Sequence, residues 1–192
     1  RYGMWKNAES VLAKKDDRRP IQWRGYGSPW EQFDYRAYPK GSWVLHMLRS
    51  QLGPELFREC VKEYLEENRN GTVVTEDLNR AVEKVSGRSF DRFFDQWVKR
   101  GGVPQLTVGY GWDGDRKLSK LTVRQTQKVD DEVPVFHFPL PVRFVGKDGA
   151  VVNRVLEVTA AEEEFYVGLE AAPKLVRIDP EYTVLAAVKF DP

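Results

Sequence analysis

The sequence predicts an α+β chain, helical over residues 1–102 and an all-β sandwich over residues 103–192. Two observations carry that division. Apolar residues recur at helical spacing up to Gly101-Gly102 and alternate with polar ones after Pro104. Capping and stop residues punctuate the first part, while closely spaced turns divide the second. At 192 residues there is room for one large domain or two small ones, each with a modest core.

The elements follow in order. A helix is expected around residues 2–15, then a loop with Pro20, Gly25, Gly27 and Pro29 that carries Trp23, Tyr26, Trp30, Phe33 and Tyr35. So many aromatic rings in a loop predict a packed or interface role, exposed as an apolar patch if their partner is missing. The next helix, about 39–51, carries Trp43, Val44, Leu45, Met47 and Leu48 and stops at Gly53. Pro54 suits the first turn of helix 54–66, whose stripe is Leu56, Phe57, Cys60, Val61, Tyr64 and Leu65. Thr75 is the expected cap of a helix with Leu78, Ala81, Val82 and Val85 on one face and Gly87 at its end. Ser89 caps a last, aromatic helix of Phe90, Phe93, Phe94, Trp97 and Val98, ended by Gly101-Gly102.

Beyond Pro104 one strand is read from Leu118, Leu121, Val123 and Gln125, after a turn at Asp113-Gly114-Asp115. A long strand sets Phe136, Phe138, Leu140, Val142 and Phe144 on one face, with Pro139 and Pro141 on the other. Two prolines predict an edge or partly unpaired strand. Lys147-Asp148-Gly149 turns the chain into 151–158, and short strands follow near 164–169, 174–178 and 183–190. About seven short strands with frequent turns read as a sandwich.

Composition excludes several functions. The formal net charge is +1, with 19 Lys and Arg against 15 Asp and Glu in residues 1–102 and 11 against 14 in 103–192. That balance argues against a nucleic-acid partner. No apolar run approaches the roughly 18–20 residues that cross a bilayer, so no membrane span is expected. A single cysteine, Cys60, allows neither an internal disulfide nor a cysteine-based zinc cluster. Cys60 lies on an apolar stripe and reads as a buried structural thiol, His46 as a packing residue, and His137 as solvent-facing. The chain opens at Arg1-Tyr2-Gly3 without an initiator methionine, inside what reads as a helix, and so looks like a piece of something longer.

One segment stands apart, Phe33-Asp34-Tyr35-Arg36-Ala37-Tyr38-Pro39-Lys40-Gly41-Ser42. Tyr38 precedes a proline and is biased to extended geometry, with Pro39 at the first helical position. Its phenol would then sit at a helix N-terminus, suited to donate a hydrogen bond to a developing oxyanion. The alternative is a tyrosine packed under the aromatic loop with its hydroxyl tied to backbone, and composition and period alone favour that alternative.

Tyr38-x-Lys40-Gly41 followed by Val44-Leu45-x-Met47-Leu48 resembles the aminopeptidase N family of zinc metallopeptidases, the gluzincins. The resemblance continues in register through Leu52-Gly53-x-Glu55-x-Phe57, Tyr64-Leu65, Thr75-x-Asp77-Leu78, Phe93-Phe94-x-x-Trp97 and Gly102-x-Pro104. In the second part it includes Val123-x-Gln125-x-Gln127, Phe136-x-Phe138-Pro139-Leu140, Val176-x-Ile178-Asp179-Pro180 and Val184-Leu185. The resemblance implies that residues 1–102 are the all-helical C-terminal part of a thermolysin-like catalytic domain, and 103–192 the Ig-like β-sandwich domain that follows it. The parent enzyme is implied to remove residues from peptide N-termini with one zinc ion, bound by H-E-x-x-H and a downstream glutamate. Tyr38 matches the family tyrosine that stabilises the tetrahedral oxyanion.

The departures matter as much. The zinc ligands, the catalytic glutamate and the glycine-rich loop that anchors the substrate amine are expected upstream of Arg1. No metal site is therefore expected in this chain, and the isolated chain is expected to bind no zinc and hydrolyse no peptide. Pro39 replaces a commoner polar residue, and the chain ends at Phe190-Asp191-Pro192 without the helical C-terminal domain of larger members. The implied partners are the peptide substrate and the upstream catalytic half of the same protein, in a cytoplasmic, periplasmic or secreted setting that the sequence leaves open. A relative that kept this scaffold as a non-catalytic peptide-binding or assembly module is the second reading.

Overall fold

The structure, a computed structural model, describes residues 2–191; Arg1, Pro192 and the Tyr2 side chain lie outside the described residues. The chain divides into two units, Arg1–Gly102 and Val103–Pro192.

The first unit is helical. Helix α1 (Tyr2–Leu12) leads through a turn into the aromatic loop, which includes one short helical turn at Pro29–Gln32. Helix α2 (Gly41–Leu52) buries Trp43, Val44, Met47 and Leu48. Gly53, with φ of 82°, breaks the chain direction, and Pro54 opens α3 (Pro54–Glu67). Helix α4 (Thr75–Ser86) ends on the left-handed Gly87 and buries Ala81 and Val82. Its cap is Val74 and not Thr75, because the Asp77 carboxylate accepts the Val74 N–H at 2.9 Å and fixes the start one residue earlier. The aromatic helix is α5 (Asp91–Phe94) continued by a wide turn, Asp95–Lys99. Its cap is Phe90, although the Ser89 hydroxyl still accepts the Asp91 N–H at 3.3 Å. Leu65, expected on the apolar stripe of α3, is 60% exposed at the edge of that stripe. Cys60 is fully buried, and burial pushes its thiol pKa up, which favours the inert protonated form.

The second unit is two sheets. Strands β1 (Gln105–Asp113), β2 (Leu118–Gln125), β5 (Glu162–Gly168) and β7 (Ala187–Asp191) form one, in the order β5-β2-β1-β7. Strands β3 (Phe138–Val145), β4 (Val151–Val158) and β6 (Leu175–Ile178) form the other, in the order β4-β3-β6. All pairs are antiparallel except β1 with β7. Alternate residues of both sheets, Leu106, Val108, Leu121 and Val123 with Phe138, Leu140, Val142, Phe144, Leu156 and Val158, make the core.

Three details differ from the sequence reading. Strand β1 is absent from that reading although Leu106, Val108, Tyr110 and Trp112 alternate along it, because Gly109 and Gly111 on its other face lower the strand propensity. In β2 the inward position belongs to Ser119 and not Leu118, with the Tyr110 and Ser119 hydroxyls 3.2 Å apart. Strand β3 is central rather than an edge, and of the two expected arrangements it takes the partly unpaired one. Its prolines are tolerated because odd-numbered residues turn their main-chain groups toward β6, as the Asp179 N–H bond to the Pro141 carbonyl shows. The β6 ladder reaches only Val142–Val145, so Pro139 and Pro141 face the stretch where no donor is required.

Candidate active site

The segment around Tyr38 starts earlier than a first-turn proline predicts. The Asp34 carboxylate accepts the Arg36 N–H at 2.8 Å, and residues Arg36–Lys40 form a single wide turn that runs into α2. Pro39 has no N–H to give the Tyr35 carbonyl, so the Lys40 N–H takes it at 2.9 Å, five residues along instead of four. Tyr38 is therefore helical rather than extended, and Pro39 lies inside the turn. This corrects the expected helix N-terminus beneath the Tyr38 ring: the Arg36 N–H is already held by Asp34, so the phenol is the donor that position offers.

Tyr38 is 65% exposed, and its ring stands 6.4 Å from that of Phe33, which in turn is 5.5 Å from Trp30. Trp30 and Phe33 are exposed as well, at 78% and 60%. The Tyr38 ring is not packed beneath the aromatic loop. Among the described residues its hydroxyl has no hydrogen-bond partner.

Beneath the exposed rings the turn is braced by buried charge. Arg36 is 1% exposed, and its Nε bonds both Asp34 carboxylate oxygens at 2.9 and 3.0 Å. Its terminal nitrogens donate to the Pro20 and Glu31 carbonyls at 3.2 and 2.9 Å. The guanidinium carbons of Arg36 and Arg19 lie 4.9 and 5.2 Å from the Trp23 ring. Arg19 also pairs with Asp17 at 2.6 Å, and that hydrogen bond holds the Asp17 carboxyl well below the usual carboxylate range. Burial, and then a hydrogen bond to Asp17, pushes the Tyr35 phenol well above its usual value. Lys40 is 2% exposed and donates from Nζ to the Gly102 carbonyl at 2.9 Å. Burial draws its ammonium down to about 8, with Asp17 opposing and Arg36 adding to the shift.

The Tyr38-x-Lys40-Gly41 motif by itself assigns Lys40 no role. The signal was available: residues 40, 44, 47 and 48 share the buried face of α2, so a charged residue stands where an apolar one is expected. His46 packs edge-on to Trp43 with ring centroids 5.3 Å apart.

Residues 5–97 match the Peptidase family M1 domain, and the chain belongs to that family. Tricorn protease-interacting factor F2 of Thermoplasma acidophilum is 37% identical over 141 residues, covering 73% of this chain and 17% of the relative. Aminopeptidase N of Escherichia coli is 29% identical over 141 residues, covering 67% of this chain and 16% of the relative. The solved structure of Legionella pneumophila aminopeptidase A superposes with a TM-score of 0.78 at 22% identity, over 97% of this chain and 22% of that one. This likeness shows the shared α+β fold.

The chain thus spans less than a fifth of the length of these curated relatives. M1 aminopeptidases are generally zinc-dependent. Among the described residues no group of three or more His, Cys, Asp or Glu is gathered that could hold a metal ion. Nor, among them, is any helix long and apolar enough to cross a membrane.

Proposed function

We propose that this chain is part of a zinc-dependent aminopeptidase that removes residues from peptide N-termini, and that Tyr38 donates its phenolic hydrogen to the tetrahedral oxyanion. Residues 1–102 are then the helical C-terminal portion of a thermolysin-like peptidase domain, and 103–192 an Ig-like β-sandwich domain. The observation that carries the reading is the Tyr38 hydroxyl, exposed and unpartnered on a turn whose underside is fixed by Arg36 and Lys40. A donor held in place and not already spent on the protein needs no rearrangement when charge develops opposite it. The family membership, and relatives named as aminopeptidases, support the reaction class.

The metal ligands belong to the remainder of the parent enzyme, and the chain alone is inactive. The exposed rings of Trp30 and Phe33, beside Tyr38, are the face turned toward that remainder and the peptide. The experiment is Tyr38→Phe in the full-length enzyme, assayed on an aminoacyl anilide with zinc measured in parallel. Turnover should fall about 100-fold or more with zinc content unchanged, as when one oxyanion donor is removed. A near-normal rate would assign the ring to the surface instead.

A further inference from the structure

We propose that Lys40 is a positioning residue for Tyr38: its buried ammonium, tied to the Gly102 carbonyl, locks the wide turn that presents the phenol. The inference rests on the oxyanion role proposed above. Lys40 closes that turn twice. Its main-chain N–H bonds the Tyr35 carbonyl at 2.9 Å, and its side chain reaches 62 residues along the sequence to Gly102, also at 2.9 Å. Tyr38 lies between these two attachments and the Arg36 brace, on the outer side of the same turn.

The anchor at the other end is closely packed. Gly102 has φ of 72°, a conformation that other residues rarely adopt. A Cβ on the neighbouring Gly101 would stand 1.7 Å from the Arg18 carbonyl oxygen, so the two backbones pass there too closely for any side chain. The Gln22 N–H bonds the Val98 carbonyl at 3.0 Å, joining the same two segments again. An ammonium is a poor choice for filling such a place, since burying charge is costly and an apolar side chain of similar length packs without that cost. What lysine supplies there is a long-reaching, charge-assisted donor to a fixed acceptor.

The test is kinetic and uses the full-length enzyme. Lys40→Met is measured alone and together with Tyr38→Phe, on an aminoacyl anilide. Alone it should lower kcat about tenfold while KM stays within about twofold, since a misplaced group costs rate rather than affinity. In the Tyr38→Phe background the same change should lower kcat by less than about twofold, because the group being positioned is gone. Equal losses in both backgrounds would mean that Lys40 acts through something else, and would overturn the inference. So would an unchanged kcat in the single variant, which leaves the role of Tyr38 standing if Tyr38→Phe is impaired.

A second measurement separates the two ideas without activity. With 3-fluorotyrosine placed at position 38, Lys40→Met should move the fluorine resonance toward that of the free amino acid. A resonance that does not move overturns the inference, whatever Tyr38→Phe does to the rate. If Lys40→Met does not fold, Lys40→Arg keeps the charge but changes the reach, and the same loss of kcat at constant KM is expected; normal kcat there overturns the inference.

Discussion

In the helical unit the buried charges are Arg36 and Lys40, while the sheet unit buries the neutral polar side chains of Ser119, Gln125 and Gln127. The glutamine pair is closed upon itself. Gln125 donates to the Phe136 and Ala160 carbonyls at 2.7 and 3.1 Å and accepts from the Phe136 N–H at 2.9 Å. Gln127 donates to Gln125 at 2.9 Å and accepts the Gln105 N–H at 3.1 Å. Every bond in that pair holds strand ends together and nothing is presented to solvent. The charged cluster braces from beneath a turn whose outer face carries an exposed, unpartnered phenol. Buried polar residues therefore do two kinds of work in this chain, and neutral amides serve where only cohesion is needed.

The largest expected effect lies on the neutral side. Gln125→Leu leaves the Phe136 N–H and carbonyl without their partners, at about 1–3 kcal/mol each, so denaturant melts should show a loss of about 4 kcal/mol. The loss should be the same at pH 7 and pH 10, because no titrating group is involved.

The charged side should behave oppositely. With a folded value of about 8 against an ordinary 10.5, Lys40 sheds its proton in the folded state before the unfolded state does. The unfolded chain binds more protons between those values, so stability rises with pH across that window, by about 3 kcal/mol for this group. Below pH 8 both states are charged and the full burial cost remains. The difference between wild type and Lys40→Met, followed from pH 7 to 11, isolates this contribution; a flat difference would sever the buried lysine from the contrast drawn here.

The smallest effect belongs to the exposed ladder of β2 and β5, where Arg124 pairs with Glu162 at 2.7 Å and Lys120 with Glu164 at 2.5 Å. Arg124→Ala should shift Tm by less than about 3 °C and less still at high salt. A larger shift would show that surface charge matters here as much as buried polarity.

Most elements were legible because their signals are local. Gly53-Pro54 and Gly87 end and begin helices by conformations only they adopt easily, and α3 and α4 are read from spacing alone. Strand β1 alternates Leu106, Val108, Tyr110 and Trp112, but Gly109 and Gly111 between them lower its strand propensity and mask it. The central place of β3 was hidden because pairing depends on where β6 ends, far along the chain. At the site, Tyr38 was legible by its motif. Its brace was not, since Asp17, Arg19, Pro20 and Glu31 meet Arg36 and Tyr35 only through the folded loop.

Pro39 has a consequence for the ensemble as well as for the geometry. The Tyr35 carbonyl needs one donor, and an ordinary residue at position 39 would compete for it with Lys40. The helix could then close either tightly or widely, and the segment before it would swing by about 100°, the step of one residue. Proline removes one competitor, so a missing hydrogen narrows two interconverting populations to one. The phenol is aimed by what its neighbour cannot do.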